Sequence, residues 1–325
     1  MALDYDYLSA STRKNFIPQV ADNIYNSSAL FKMLDTDGRI KTYLDGGTSV
    51  TEGLEYAKIT AGGTYSNYDL LDNTPPDNLT RADFNWGNYY ASISISGDDE
   101  DKNMGPEEVI DLVKNRTRGA EKKIKDDLSV DLFSGTGGKA LTGLSTLVGA
   151  GTAGGIDGAT YTWWVSGVDT TSRTRSQLID PTDTTNYMNL LFQAAERSCL
   201  HMNETPNLIV TTPLIWDIFE SIQEADQRYN KNTSERGEKI ASAGFDVLYW
   251  RNKPVIKDEL CPAGQLYFLN TDYMFLRTHR KTNFLFDPFT KVHNQRARVA
   301  HIFHKTSLTI TNRRMFYKFT GFPTS

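Results

Sequence analysis

Few residues in this chain have the types and spacing that chemistry requires. Gly135-Thr136-Gly137-Gly138-Lys139-Ala140 has the glycine density of a phosphate loop, in which backbone amides and a lysine cradle an anion. The match fails in detail. Phe133, Ser134 and the residue after Lys139 depart from the motif, and the run follows a predicted helix rather than a strand. His301 and His304 are three apart, which on a strand sends them to opposite faces and away from a shared metal ion. All five histidines follow residue 200, none with a Cys or carboxylate at ligand spacing. Cys199 and Cys261 form no metal-type pair and read as inert thiols of a reducing compartment. Asp98-Asp99-Glu100-Asp101 reads as a solvated turn rather than a cation loop. No serine occupies a Gly-x-Ser-x-Gly setting. The expectation is a protein with no catalytic residue, metal or cofactor, and not an enzyme.

The elements that would position such residues are more informative. Gly105 to Phe133 reads as one long helix. Pro106 suits its first position, Glu107 and Glu108 suit its dipole, and Gly135 supplies a left-handed end. Val109, Val113, Thr117, Ala120, Ile124 and Leu128 form a thin stripe on one face, and the rest is mostly charge. Such a rod is about 40 Å long and suits a strut laid across a sheet. Residues 1 to 45 read as an arm with short apolar patches and no sheet or long helix, too poor in core residues to order alone. Residues 46 to 102 read as a two-armed excursion. It opens at Gly46-Gly47, turns at Asp72-Asn73-Thr74-Pro75-Pro76-Asp77-Asn78 and returns on the alternating strand Tyr89, Ala91, Ile93, Ile95. A lone hairpin is marginal in water, and the aromatic face Phe84, Trp86, Tyr89 needs a cover.

Residues 136 to 182 are rich in Gly and Thr and anchored by Trp163-Trp164. Tyr187 to Met202 is a predicted helix with Met188, Leu191, Ala195 and Cys199 on one face. Short strands follow at Leu208–Val210, Phe245–Trp250, Pro254–Ile256 and Leu266–Leu269, with a helix from Thr212-Pro213 to Ser221. Together 206 to 280 reads as an inserted α+β domain. Val299–Ile310 and Arg314–Phe319 are predicted closing strands.

The chain has 325 residues and a formal net charge of −5, spread unevenly. From Arg277 onward, ten Lys or Arg face the single acid Asp287, so this tail carries +9 and the remainder −14. A basic tail suits nucleic acid. Because this one reads as regular strands, an acidic patch on a neighbouring subunit is the preferred partner. No apolar run is long enough to span a bilayer, and Met1 to Tyr7 lacks the basic-then-apolar order of a signal peptide.

Arm, excursion, strut, Gly-rich segment, α+β insert and closing strands, in that order, resemble the major capsid proteins of tailed bacteriophages, whose shell fold is named after bacteriophage Hong Kong 97. The likeness is sharpest at Gly143-Leu144-Ser145-Thr146-Leu147-Val148, Gly154-Gly155-Ile156-Asp157 and Trp163-Trp164. It continues through Phe245-Asp246-Val247-Leu248, Lys253-Pro254-Val255-Ile256 and Pro262 to Leu269, and ends at Asn312-Arg313-Arg314 before the last aromatic strand.

The resemblance implies an α+β fold of this type. Residues 1–45 become the N-arm, 46–102 the extended loop and 103–205 the first part of a peripheral domain with spine helix 105–133. Residues 206–280 become the axial domain, and 281–325 the closing peripheral strands. It implies self-assembly into hexamers and pentamers of an icosahedral head around double-stranded DNA held by non-specific contact. A portal, a decoration protein and a separate scaffolding protein are the implied partners, and no membrane is involved. The separate scaffold is expected because the helix begins too early for a fused scaffolding segment. Assembly in the host cytoplasm and residence in the virion follow. Some relatives cross-link a Lys to an Asn. Lys58 is the candidate lysine, but marked Asn and Glu partners are lacking and a plain surface charge is the simpler reading. The expected interface residues are Lys58, Phe84, Trp86, Tyr89, Arg313 and Arg314. The expected hinges are Gly46, Gly47 and Gly97. The alternatives are an encapsulin-like nanocompartment shell holding protein cargo and, third, a nucleic-acid-binding protein acting through the basic tail.

Overall fold

A computed structural model of the chain describes residues 28–44, 47–75, 77–102, 112–201, 204–224 and 247–324. Its helices are α1 (Ala29–Thr36), α2 (Gly97–Lys102), α3 (Leu112–Ser134), α4 (Leu144–Leu147), α5 (Arg175–Ile179), α6 (Met188–Cys199) and α7 (Pro213–Glu224). The early strands are β1 (Ile40–Leu44), β2 (Ser49–Glu55), β3 (Leu79–Asn85), β4 (Gly87–Ser96) and β5 (Gly167–Asp169). Then come β6 (Leu208–Thr211), β7 (Val247–Trp250), β8 (Lys253–Lys257) and β9 (Leu266–Leu269). The chain closes with β10 (Met274–His279), β11 (Leu285–Lys291), β12 (Ala297–Ile310) and β13 (Tyr317–Phe319).

A five-stranded sheet is built on β12. This strand pairs antiparallel with β4 from Ala297↔Ser96 to Thr306↔Gly87, with β11 over Arg298–Phe303, and with β10 over Thr306–Ile310. β1 joins β10 in parallel. Period-two alternation puts Ala300, Ile302, His304 and Leu308 on the buried face, beside Tyr89, Ala91, Ile93 and Ile95 of β4. A six-stranded sheet runs β5-β13-β9-β6-β8-β7. Its central strands β6 and β9 are buried at every position, as strands covered on both faces must be.

α3 packs along β4 and β12 of the first sheet. Its Ala120, Ile124, Leu128 and Leu132 belong to one buried cluster with Ile93, Ile95 and Ile302 of that sheet and Leu208, Val210, Ile256 and Leu269 of the other, which it meets where the Phe133 ring lies 6.2 Å from that of Tyr267. Alternate residues of the second sheet (Ile209, Val255, Phe268, Phe319) turn to the opposite face, where α5, α6 and α7 cover them. Phe192 of α6 is the hub there, with ring centroids 5.3 Å from Phe219, 5.5 Å from Trp250 and 5.1 Å from Phe268.

Several expectations are corrected. The stripe on α3 starts later than expected, because Val113 is exposed while Leu132 and Phe133 extend the buried row. Val109 and the expected helix start lie outside the described residues. Gly135 is not left-handed. A Cβ there would sit 2.3 Å from the Leu141 carbonyl oxygen and 2.6 Å from that of Asp131, so close backbone approach demands the glycine. The expected arm is not all partnerless. Ser28 caps α1 and donates to the buried carboxylate of Asp258, which also accepts from the Leu30 amide at 3.2 Å. Leu30, Met33 and Leu34 then join the core, while residues 1–27 lie outside the described set. The expected division at 206 and 280 does not follow the sheets. β5 and β13 complete the second sheet from either side, while β10 belongs to the first. Hydrogen bonding, not chain order, sets where one layer ends.

Candidate assembly interface

β2 and β3 form a separate two-stranded ribbon, in register from Ser49↔Asn85 to Glu55↔Leu79. Its root is fixed to the body by core packing, a backbone hydrogen bond and the side chains of Arg277, Thr309 and Trp163. Val50, Leu54, Ala82 and Phe84 are buried in the main core. The Asp83 amide donates to the Gly154 carbonyl at 2.9 Å. Gly154 has φ +60, and a Cβ on it would meet the Ala82 Cβ at 2.7 Å, so the ribbon rests directly on the Gly-rich segment. Glu52 takes Arg277 of β10 at 2.8 Å and the Thr309 hydroxyl at 2.9 Å. Tyr56 stacks on Trp163 with ring centroids 5.4 Å apart.

Beyond Tyr56 the chain leaves the body. Tyr68 is 99% exposed and Leu70 100%, and Ile59, Tyr65 and Leu71 are also largely exposed. Among the described residues from Lys58 to Pro75 the hydrogen bonds are local. The Asp69 amide donates to the Ser66 carbonyl at 3.0 Å, and Asp69 and Asp72 cap the turns at Ser66 and Thr74. Those bonds hold Asp72 below the usual carboxylate range, chiefly through the Thr74 hydroxyl. This is a projecting, apolar, acid-bearing tip on an anchored root.

The sequence-expected interface residues divide sharply. Phe84, Trp86 and Tyr89 are buried in their own subunit. The aromatic face is covered by the body because β4 is a body strand rather than the returning arm of the excursion. Tyr89 donates its hydroxyl to Asp131 of α3 at 2.7 Å and accepts from the Leu141 amide at 3.2 Å. Burial leaves its phenol firmly protonated, with a pKa far above the ordinary value. Trp86 donates to the Gly47 carbonyl at 3.3 Å, under the Lys305 ammonium.

Arg313 is also internal, 1% exposed. Its guanidinium donates to the carbonyls of Leu147 (2.8 Å), Gly151 (2.9 Å), Trp164 (2.8 Å) and Gly149 (2.7 Å). Burial lowers its pKa to about 10. It is the post around which the Gly-rich segment folds. No motif announces this role. The available signal was the lack of secondary structure over 148–161, whose backbone carbonyls had to be satisfied by something. Lys58 and Arg314 are exposed. Gly46 lies outside the described residues, Gly47 has φ +94, and Gly97 opens α2 with Arg296 packed against it. The basic tail spends part of its charge at home. Arg277 pairs with Glu52, Arg296 with Asp98 and Asp101, and Lys318 donates to the Ser145 carbonyl.

The sequence matches no protein-family model and no curated protein. Solved structures do match across the whole chain. The capsid asymmetric unit of cyanophage A-1(L) is 14% identical with a TM-score of 0.67, over 98% of this chain and 99% of that one. The capsid of the native GTA particle is 11% identical with a TM-score of 0.62, over 95% and 96%. The SrpI encapsulin of Synechococcus elongatus is 11% identical with a TM-score of 0.55, over 94% of each chain. The fold is therefore the Hong Kong 97-type shell fold.

Proposed function

We propose, from this shell fold and the projecting tip, that the chain is the major capsid protein of a tailed bacteriophage. It self-assembles into an icosahedral head that encloses double-stranded DNA. The observation that carries the reading is the tip itself. Tyr68 and Leu70, at 99% and 100% exposure, stand on a ribbon whose root is rigidly packed. A single copy cannot bury them, whereas repeated neighbours can, and a closed lattice leaves no copy uncovered. Self-association is thus the function, with no catalytic step. The root residues Phe84, Trp86 and Arg313 serve it from inside by holding the ribbon and the segment under it. Gly47 and Gly97 are the proposed points about which the ribbon and α2 reorient between shell states. A portal, a separate scaffolding protein, a decoration protein and packaged DNA are the proposed partners, with assembly in the host cytoplasm.

The encapsulin match supports a second reading, a cellular shell around protein cargo. One experiment separates them. The full chain is expressed, particles are isolated by sedimentation and viewed by negative stain, and their content is assayed. Closed particles are expected. A chain that stays monomeric at high concentration overturns both readings, and particles that co-purify with one enzyme favour the second.

A further inference from the structure

We infer that the start of β1 and the root of the β2–β3 ribbon are coupled within one subunit through the ring of Phe275, so that seating one tightens the other. The coupling belongs to the single chain and stands apart from the shell reading; only its consequence for assembly rests on that reading. It is built by register. β1 runs parallel to β10 with Ile40 opposite Leu276, so Arg39 stands beside Phe275. Phe275 in turn pairs with Thr309 of β12. Arg39, Phe275 and Thr309 therefore form one row across the face that the ribbon root covers. In the next row Arg277 pairs with Ser307, whose hydroxyl donates to the Asn85 carbonyl of β3 at 2.9 Å. The Phe275 ring takes a guanidinium from each side of this arrangement. Arg39 Cζ lies 5.7 Å from its centroid and Arg277 Cζ 4.7 Å. Each arginine also has its own acid. Arg39 pairs with Asp272, just ahead of β10. Arg277 pairs with Glu52 of β2 at 2.8 Å, and Glu52 accepts from the Thr309 hydroxyl at 2.9 Å. The contacts run from Asp272 through Arg39, Phe275 and Arg277 to Glu52.

The arm end of this series is the end that gives. Among the described residues β1 pairs with one strand only, whereas the ribbon root is held at several points. Arg39 Nε is buried without a hydrogen-bond partner, so its seat leaves a donor unmet that release into water would satisfy. The ribbon end is different. The Arg277 and Glu52 side chains are 18% and 13% exposed, so solvent screens their pair little and its strength depends on how well Arg277 is aimed. With Arg39 seated, the Phe275 ring is already ordered, and Arg277 meets Glu52 at a smaller entropic cost. With Arg39 released, the ring loses one of its two cationic contacts and Arg277 loses a fixed surface to lie on. Under the shell reading, a neighbour that presses the arm home would thereby stiffen the ribbon that carries the tip.

Hydrogen exchange on the dissociated full chain tests this. The Leu276 amide donates to the Arg39 carbonyl at 3.0 Å and reports the seating of β1, while the Asp83 amide, bound to the Gly154 carbonyl at 2.9 Å, reports the ribbon. Arg39→Ala is expected to speed exchange at Asp83 by about 2- to 30-fold, with β6 unchanged. By reciprocity Glu52→Gln should speed exchange at Leu276 by a similar factor. Arg39→Lys keeps the charge for Asp272 but removes the planar group over the ring, and it should act in the same direction should the alanine variant fail to fold. Phe275→Leu keeps an apolar side chain in the row and removes the ring. In that background Arg39→Ala should leave Asp83 unaffected. β1 and β2 are also joined along the chain by residues 45–48, and a full Arg39 effect that persists without the ring would assign the coupling to that backbone and overturn the role of Phe275. An Asp83 amide that responds to neither Arg39 variant would overturn the coupling itself. None of these readings needs particles, so their failure leaves the shell reading standing, and failure of the parent to assemble leaves the coupling standing.

Discussion

At the scale of single residues, two buried polar side chains set the internal electrostatics. Arg313 is satisfied by four carbonyls and by no carboxylate, so its charge is dissolved in backbone dipoles. Arg313→Leu would take this donor from the buried Leu147 and Trp164 carbonyls, while the Gly149 carbonyl keeps the Ser166 amide and Gly151 is exposed. Each buried group left unpaired costs about 1–3 kcal/mol, so the expected loss in chemical denaturation is at least about 2 kcal/mol. Arg313→Lys, with three donors on one point, should recover only part.

His304 is the other. Its Nδ1 has no hydrogen-bond partner, its ring lies 4.5 Å from that of Phe284, and burial lowers its pKa to about 4. The folded pKa is below the unfolded one, so the unfolded chain binds the extra proton first. Stability is therefore full above about pH 6.5 and falls as the pH drops toward 4. His304→Phe keeps the ring and removes the titration. Its urea midpoint should vary less between pH 7 and pH 4 than that of the parent, and an unchanged slope would exclude His304 as the source.

At the scale of elements, the ribbon root is where packing is tightest. Gly154 combines φ +60 with an Ala82 Cβ that would lie 2.7 Å from any side chain placed there. Gly154→Val should cost about 1–3 kcal/mol and release β3. Hydrogen exchange at the Asp83 amide, whose acceptor is the Gly154 carbonyl, reads this directly, and it should rise while exchange in β6 stays unchanged. The same elements mark what a sequence makes legible. β6 and β9 were readable because strands buried on both faces are unbroken apolar runs, and α6 because its 3.6-residue stripe is clean. β4 was readable as a strand but not as a body strand, since its partner β12 lies some two hundred residues away and alternation names no partner. β11 carries no strand signal, because it is exposed along nearly its whole length and lacks a buried face to betray it. Arg313 is hidden from sequence reading because arginine is ordinarily a surface residue, and its acceptors are two loop carbonyls, Gly149 and Gly151, and the ends of two short helical turns, Leu147 and Trp164, which carry no pattern. The tip was legible through its turn cluster, and its exposure follows from having no core face to return to.

At the scale of the molecule, two sheets, α3 and the covering helices form a body that does not need the tip, whereas the proposed lattice would. Tyr68 and Leu70 touch nothing that a substitution could disturb in the isolated subunit. Substituting both with Asp should therefore move the unfolding midpoint of the dissociated chain by no more than about 0.5 kcal/mol. In an assembled shell each of these side chains would contribute about 1.5–3 kcal/mol on burial, and an aspartate in its place would add a desolvation cost. That penalty recurs in every copy, so it multiplies over the lattice while the single-chain cost stays near zero. The expected outcome is a folded, monodisperse protein by circular dichroism and sedimentation velocity that forms no particles where the parent does. Equal assembly of the doubly substituted chain would move the driving surface elsewhere on the molecule. Unfolding of the dissociated chain would mean the tip is part of the body after all, because only a contact within the subunit couples its side chains to the core.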